Sequence, residues 1–279
     1  MHVFKSRFLL RGEVWYDGEP DDSAVDWVVY HQRSSPVPRA RWKYFYTLLI
    51  DLSQSPEALL GQMSSSTVYK IRRARDKEQV VCQCYDTTQA SVIDEFEQQY
   101  NRFAAQKSLP PLDRMELDQL ANAGVLEISV AKDLDSRPLV YHAYYRGGGR
   151  SRLLHSASRY RELDDASARN AIGRANRYLF WWDMQRHREQ GLSFFDFGGW
   201  YPEKTNEALL DVNRFKEGFG GRVAREYDCE EIRTLKGWIV LTAAGLLNNS
   251  APRRGAARKA RDAEPPSRFS ALLDSAKSR

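Results

Sequence analysis

Three segments near the N-terminus consist mainly of apolar residues, and each is rich in aromatic or β-branched residues. The segments cover residues 8–16, 26–31 and 45–51, and Asp, Gly, Pro or Ser residues bound them. This pattern is typical of β-strands. Ser55 and Pro56 follow, and these residue types are favoured at the cap and first position of a helix. We therefore expect a helix over 55–63.

The remainder of the chain predicts alternating helices and strands. Further helices are expected at 68–77, 87–106, 114–121, 168–190 and 238–247, the fourth ending at Gly191. Further strands are expected at 80–85, 125–132, 138–146, 150–157, 194–197 and 221–227. Gly147, Gly148 and Gly149 indicate a hairpin turn between two of these strands. This order of elements predicts an α/β fold with a mixed, largely antiparallel sheet flanked by helices.

The net positive charge lies in a tail at the C-terminal end. The chain has a formal net charge of +5, and the residues after 251 contribute eight basic and three acidic side chains. The basic ones are Arg253, Arg254, Arg258, Lys259, Arg261, Arg268, Lys277 and Arg279. The rest of the chain is therefore close to neutral. We predict that residues 249–279 form a disordered basic tail.

Composition and cysteine use favour a cytoplasmic globular protein. Hydrophobic residues make up 42% of the sequence and aromatic residues 12%, which is enough for a sizeable core. The sequence has no apolar run of about 18 residues, the length a transmembrane helix needs. We also find no apolar core of a secretory signal. Cys82, Cys84 and Cys229 form neither an even disulfide set nor a paired metal motif, so we expect a reduced protein without a metal.

Two glycine-containing blocks and a basic segment occur in a distinctive order. The blocks are Phe195-Asp196-Phe197-Gly198-Gly199 and, further on, residues 215–221 with the sequence FKEGFGG. The basic segment, YKIRRA at 69–74, precedes both of them. Together with the strand over 154–158 and with Asn176, they resemble the FemAB-like branch of the GNAT acyltransferase superfamily, whose patterns include DFGG and FKxGFGG. The resemblance extends over about residues 45–232.

The resemblance implies a GNAT-like acyltransferase domain over 45–248, in which a splayed sheet holds the donor. Residues 1–44 would then form N-terminal strands, the vestige of a second GNAT unit. The implied reaction is N-acyl transfer from acyl-CoA or aminoacyl-tRNA, without a metal, by direct attack of an amine on the donor carbonyl. The acceptor would be a small-molecule or lipid-linked amine, carried by an amino sugar, a peptide or a cell-envelope precursor.

Asp196 and Lys216 are the candidate catalytic residues. Asp196 lies in a phenylalanine-rich strand, where partial desolvation would raise its pKa and suit it to act as a general base. The alternative interpretation is a structural Asp that caps amides in the Gly198-Gly199 turn. Lys216 would place a positive charge near a phosphate or a developing oxyanion. The alternative is a solvated lysine in a glycine-rich turn.

The candidate donor-binding residues cluster around the same blocks. They are Phe215, Gly218, Gly220, Gly198, Gly199, Asn176, Lys70 and Arg73. Glycines permit a close approach of a ligand to the backbone, and the basic helix at 70–77 could meet phosphates. Residues 170–175, with the sequence NAIGRA, are a near match to the loop that cradles the pyrophosphate of acyl-CoA in GNAT enzymes. The alternatives are helix capping for Asn176 and a solvated face for the basic helix.

Three other hypotheses remain open. A GNAT-shaped binding or scaffold protein would bind ligands without turnover. A nucleic-acid-binding protein would use the basic helix and tail, but the neutral body argues against it. The apolar helix at 238–247 could contact the inner face of a membrane with help from the basic tail, or it could pack on the sheet.

Overall fold

Within the described part of the chain, ten strands form a single sheet with mostly antiparallel neighbours. The computed structural model describes residues 1–5, 8–85, 87–162 and 164–243. The strands are β1 (His2–Lys5), β2 (Leu10–Trp15), β3 (Trp27–Arg33), β4 (Arg41–Asp51), β5 (Val81–Tyr85), β6 (Leu126–Lys132), β7 (Pro138–Gly147), β8 (Arg150–Ser158), β9 (Phe194–Gly199) and β10 (Arg222–Ile232). Their spatial order is β1-β2-β3-β10-β4-β9-β8-β7-β6-β5. The predicted fold class, a mixed α/β sheet with largely antiparallel pairing, is confirmed.

Seven α-helices accompany this sheet within the described ranges. They are α1 (Pro56–Gln62), α2 (Ser65–Asp76), α3 (Ala90–Gln106), α4 (Arg114–Asn122), α5 (Ala166–Glu189), α6 (Glu207–Glu217) and α7 (Leu235–Ala243). The local signals act as expected at α1, where the Ser55 side chain accepts a hydrogen bond from the amide of Ala58. Gly191 follows the end of α5 with a φ of +80°, as a C-terminal glycine should.

The helices cover the two faces of the sheet with separate apolar clusters. On one face, which we call the α5 face, Phe180 of α5 packs with Phe195, Phe197 and other buried residues of the central strands. On the opposite face, which we call the α3 face, Phe96 of α3 packs with Tyr141 and other residues of β6 and β7. Side chains alternate between faces along each strand, so Asp196, between two phenylalanines of the α5 face, points to the α3 face.

The three N-terminal strands belong to the same sheet as the rest. β3 pairs with β10, and β2 runs parallel to β3. Trp15, at the end of β2, stacks on Tyr145 of β7 with ring centroids 4.0 Å apart, so these strands curl over the α3 face. The predicted boundary between 44 and 45 falls inside β4. The assignment of residues 1–44 as a vestigial second unit stays a prediction.

The structure corrects several predicted elements in the C-terminal third. A helix, α6, lies between the strands expected at 194–197 and 221–227, where the sequence analysis predicted no helix, and β10 continues five residues beyond the predicted end at 227. Asn206 caps α6 by accepting a hydrogen bond from the amide of Leu209. The final predicted helix is described only as far as Ala243, so residues 244–247 and the tail at 249–279 lie outside the described residues. None of the described helices combines the length and the apolar character needed to cross a bilayer.

Candidate active site

The parallel strands β8 and β9 pair over only three residues and then separate. The register runs from Arg150↔Phe194 to Arg152↔Asp196, whereas β8 continues as far as Ser158. Gly198 lies two residues beyond the last pair and has a φ of +68°, and a Cβ there would lie 3.0 Å from the carbonyl oxygen of Leu153. We call the point at which the pairing of β8 with β9 ends the split between these strands. The location of the donor site there stays a prediction.

Asp196 lies fully buried at the last paired position before the split. One carboxylate oxygen accepts hydrogen bonds from the Thr47 hydroxyl and from the amide of Gly198, the latter at 2.7 Å. The other accepts from the Gln32 amide at 2.7 Å and from Arg150 at 3.2 Å. Both oxygens thus have two donors each. The contact with Gly198 is the capping interaction considered as the alternative interpretation from sequence.

A second buried carboxylate shares the partners of Asp196. Glu226 of β10 accepts two hydrogen bonds from Arg150, at 2.8 and 3.0 Å, and one from Gln32 at 2.9 Å. Burial raises the pKa of Glu226, and the adjacent Arg150 opposes that change. Gln32, Arg150 and Glu226 come from three distant segments, and the sequence analysis identified none of them. The sequence could not predict their proximity, because only the strand order β3-β10-β4-β9-β8 brings these three residues together.

Lys216 lies beside this cluster in a buried position. Its ammonium donates hydrogen bonds to the carbonyl oxygens of Gly198, at 3.2 Å, and Gly199. Burial lowers the pKa of Lys216 to about 8, with a further decrease from the charge of Arg152 and an opposing increase from Asp196. The structure therefore brings together Lys216, Asp196, Gly198 and Gly199, which the sequence analysis had selected from separate blocks. Lys216 is not the solvated lysine of the alternative interpretation.

The FKEGFGG block is the end of α6 and its C-terminal turn rather than an open loop. Phe215 packs against Phe180 and Phe219, and Gly218 is the C-cap residue of α6. Gly220 and Gly221 have φ values of +81° and +85°. A Cβ on Gly220 would lie 2.9 Å from the carbonyl oxygen of Gln62, and one on Gly221 would overlap the backbone of Leu49. The close approach at these two glycines is thus made by the protein's own backbone.

The two candidate residues of the basic helix α2, Lys70 and Arg73, lie in different environments. Lys70 is half-buried and faces α5, where burial, and then the charges of Arg177 and Arg174, lower its pKa. Arg177 stacks over the Phe215 ring at 4.7 Å, and burial also lowers its pKa. Neither Lys70 nor Arg177 pairs with a carboxylate in the part of the chain that the structure describes. Arg73 is exposed and binds Tyr69 and Glu78 instead.

Asn176 lies in the middle of α5, so it cannot cap that helix. Its side-chain oxygen is 2.9 Å from Nε2 of the buried His142, and Nδ1 of this histidine is 2.9 Å from Asp183. Tyr144 donates a hydrogen bond to the same Asp183 oxygen at 2.6 Å. Residues 170–175 also lie within α5, where backbone amides bond to carbonyls of the preceding turn. They form no phosphate-binding loop, which corrects the near match noted in the sequence.

An open cleft of about 620 Å³ lies where β9 ends. Four of its eight lining residues are aromatic: the lining consists of Lys43, Tyr44, Phe45, Tyr46, Gly199, Trp200, Pro202 and Glu203. Gly199, which binds Lys216, connects this cleft to the split between β8 and β9. Among the described residues, no group of His, Cys, Asp or Glu side chains is arranged to hold a metal ion.

Comparison with known proteins supports the fold. The sequence matches no protein-family profile and no curated protein. The structure is similar to that of FemX, with a TM-score of 0.54 and 12% sequence identity over 71% of this chain and 63% of the FemX chain. The chain thus spans less than two thirds of FemX. Weaker similarity is found to the C-terminal domain of a protein described as a lysylphosphatidylglycerol synthetase from Agrobacterium fabrum (TM-score 0.48, 16% identity, 79% of this chain and 72% of that one). It extends to Saccharomyces cerevisiae N-myristoyltransferase with bound myristoyl-CoA (TM-score 0.37, 12% identity, 74% and 52%). Over the matched part, the chain therefore has the same fold as FemX.

Proposed function

We propose that this protein is an N-acyltransferase that transfers an acyl or aminoacyl group to an amine. The observation that carries the proposal is the split between β8 and β9, with a buried lysine at its end. A split sheet leaves backbone groups and a narrow space in which an extended donor can lie. The similarity to FemX supports the fold, and the activity follows from the fold by analogy.

The donor in this proposal carries phosphate groups, as acyl-CoA and aminoacyl-tRNA both do. Lys70 and Arg177 support it, because they face each other between α2 and α5 without a carboxylate partner in the described structure. Bringing cations together in a half-buried place is costly unless an anion joins them. Arg177 also contacts Phe215, which packs near the split. Phosphates bound here would direct the acyl end of the donor towards Gly198 and Gly199.

The proposed reaction is direct attack of the amine on the donor carbonyl. A C–N bond forms, the bond from the carbonyl carbon to sulfur or oxygen breaks, and the amine proton passes through a base to the leaving group or to solvent. The ammonium of Lys216 would stabilise negative charge that develops on the carbonyl oxygen. Positioning of the two reactants would provide much of the acceleration.

Asp196 has two candidate roles in this reaction. Because its side chain has no exposed atom, it could act as a base only through a water molecule that reaches the split. Its four hydrogen bonds support a positioning role, in which it holds Gly198 and Arg150 in place. The base role stays a prediction.

The proposed acceptor is an amine on an amino sugar, a peptide or a lipid-linked envelope precursor, and the last of these would require contact with a membrane. Helix α7 supports such contact, because Leu235, Trp238 and Ile239 are 73%, 53% and 53% exposed. Only Gly237 and Leu241 of this helix are buried. A helix packed fully on the sheet would have buried its large apolar residues. Together with the basic residues after 251, this face fits the inner surface of an anionic membrane.

The proposal is tested by donor binding followed by turnover. Acetyl-CoA, longer acyl-CoAs and aminoacyl-tRNA are each added to the full chain, and the melting temperature is measured before product is sought by mass spectrometry with a panel of amines. We expect one donor class to raise the melting temperature and to yield an amide. Lys216→Ala should lose the product, Arg177→Gln should weaken donor binding, and the exposed Lys204→Ala should change neither. Donor binding without product from any amine would favour the non-catalytic binding protein instead.

A further inference from the structure

Arg150 and Arg152 lie on the same face of β8, but only one of them is paired. Arg150 binds Glu226 and Asp196. Arg152 forms no hydrogen bond or ion pair with any residue that the structure describes, and its Nε is buried without a partner. A guanidinium has five donors and is normally satisfied when it lies inside a protein. The protein therefore leaves donors of the half-buried Arg152 available to a group from outside, whereas it supplies partners for Arg150.

Two aromatic rings hold Arg152 in a fixed orientation. Its guanidinium carbon lies 5.4 Å from the ring centre of Trp15 and 5.4 Å from that of Phe45. Trp15 is itself stacked between His31, at 4.3 Å, and Tyr145, at 4.0 Å. These contacts restrict the orientation of the guanidinium, and the described part of the protein leaves its N–H donors without partners. Those donors form the fork that matches a carboxylate or a phosphate.

The position of Arg152 relates it to the candidate active site. It is the last residue of β8 that pairs with β9, opposite Asp196. Its charge lowers the pKa of Lys216 and contributes to lowering that of His155 to about 4, so both side chains lie within its field. Phe45, whose ring centre lies 5.4 Å from the guanidinium carbon of Arg152, also lines the open cleft at the end of β9. Arg152 is therefore adjacent to one residue of this cleft, and Gly199 is another residue of its lining.

The phosphates of the donor are not the partner that this geometry favours. Arg152 contacts Trp15, which packs with the cluster on the α3 face, whereas Lys70 and Arg177 lie between helices on the α5 face. The two cationic places are thus separated by the sheet. If the donor enters the split from the α5 face, Arg152 can contact the amine acceptor, which approaches from the α3 face.

We propose that Arg152 binds an anionic group, a carboxylate or a phosphate, on the amine acceptor. This inference rests on the proposed acyltransferase function and narrows its acceptor to amines that carry a negative charge. The cleft beside Phe45 holds the acceptor, Arg152 binds its anionic group, and the amine faces the split. Lys216 remains available for the donor carbonyl.

The test measures binding by calorimetry and needs no donor. The full chain is titrated with O-phosphoethanolamine, with β-alanine and with ethanolamine, which represent a phosphate, a carboxylate and no anion. We expect one of the two anionic amines to bind at least about tenfold more tightly than ethanolamine, because charge-assisted bidentate contacts are strong. The identity of that amine distinguishes the phosphate from the carboxylate. Arg152→Gln should remove the preference, and Arg152→Lys should retain part of it.

Two control variants locate the effect. Arg225→Gln removes another arginine, which stacks on Tyr44 at 4.8 Å beside the same cleft, and should leave the preference intact. Arg177→Gln should leave it intact as well. Equal affinity for all three amines, or loss of the preference in either control variant, would overturn the inference. If no donor gives a product while the preference persists, the proposed activity fails and the anionic site stands.

Discussion

Lys216 is a lysine whose ammonium is enclosed by backbone carbonyls instead of water. The charged form is less favourable in the folded protein than in the unfolded chain, because burial outweighs the attraction of Asp196. The sequence analysis selected this residue, although it placed it in a loop. The partners of Asp196 could not be predicted in the same way, since Gln32, Thr47 and Arg150 reach it only through the order of strands in the sheet.

The first prediction concerns the titration of Lys216. With ¹³C-labelled lysine, one side-chain resonance should titrate near pH 8 and should be absent in Lys216→Met. At Lys216 the unfolded state binds more protons than the folded state between about pH 8 and 10.5, so the stability of the wild type relative to Lys216→Met should rise with pH across that window. The gain relative to Lys216→Met should be at most about 3 kcal/mol. A lysine resonance that titrates only above pH 10 in every sample would contradict this assignment.

The second prediction separates the two roles of Asp196. Asp196→Asn leaves Arg150 without one of its buried partners and should lower the free energy of unfolding by about 3 kcal/mol. Asp211→Asn, which removes an exposed ion pair with Arg214, should cost less than about 1 kcal/mol. Chemical denaturation measures both. A stable Asp196→Asn protein that has lost turnover would instead support the base role.

At the scale of elements, the sequence was sufficient to predict the end of a helix or strand wherever a capping or turn residue lies at that end. The hairpin between β7 and β8 and the start of α1 are examples, because Gly148, Gly149 and Ser55 determine the backbone there. Helix α6 was missed because its last turn carries the FKEGFGG block, whose glycines favour a turn. In the structure, Gly220 and Gly221 allow the backbone to lie close to that of α1 and β4.

The third prediction tests that use of glycine. Gly221→Ala should destabilise the protein by about 2 kcal/mol or more, because its φ is unfavourable for alanine and the new methyl group meets the backbone of Leu49. Gly61→Ala is a matched control within α1, where nothing lies within 4 Å of the added carbon. It should be neutral or stabilising by up to about 1 kcal/mol. Thermal unfolding of the two variants checks both expectations, and equal stabilities would refute the close-approach argument.

At the scale of the whole molecule, the sheet gives the two sides of the protein different properties. The α5 face holds the proposed phosphate-binding residues Lys70 and Arg177, and the α3 face holds Arg152 and the buried carboxylates of Asp196 and Glu226. The mixed sheet could be predicted from the sequence because it follows from the order of elements. The curling of β2 over β7 could not, since it depends on the stacking of Trp15 on a residue 130 positions away.

The fourth prediction concerns the apolar face of α7. The full chain should co-sediment with vesicles that contain phosphatidylglycerol and less with pure phosphatidylcholine vesicles. Replacing Trp238 and Ile239 by Glu should abolish this binding, because charged residues do not enter the membrane interface. Leu209→Glu, a change at an exposed apolar residue of α6, serves as the control and should have no effect. Binding that survives the double substitution would show that another surface, or the tail alone, makes the contact.

The position of β10 between β3 and β4 has a consequence for synthesis on the ribosome. Residues 27–51 emerge early, but the strand that joins these two neighbours is translated only when residues 222–232 appear. Until then both strands carry open backbone edges, which are sites for pairing with other chains. During most of its translation, the nascent chain therefore has β3 and β4 without their common neighbour. Chaperones that cover exposed strand edges should associate with the chain until β10 has been synthesised and pairs with both strands.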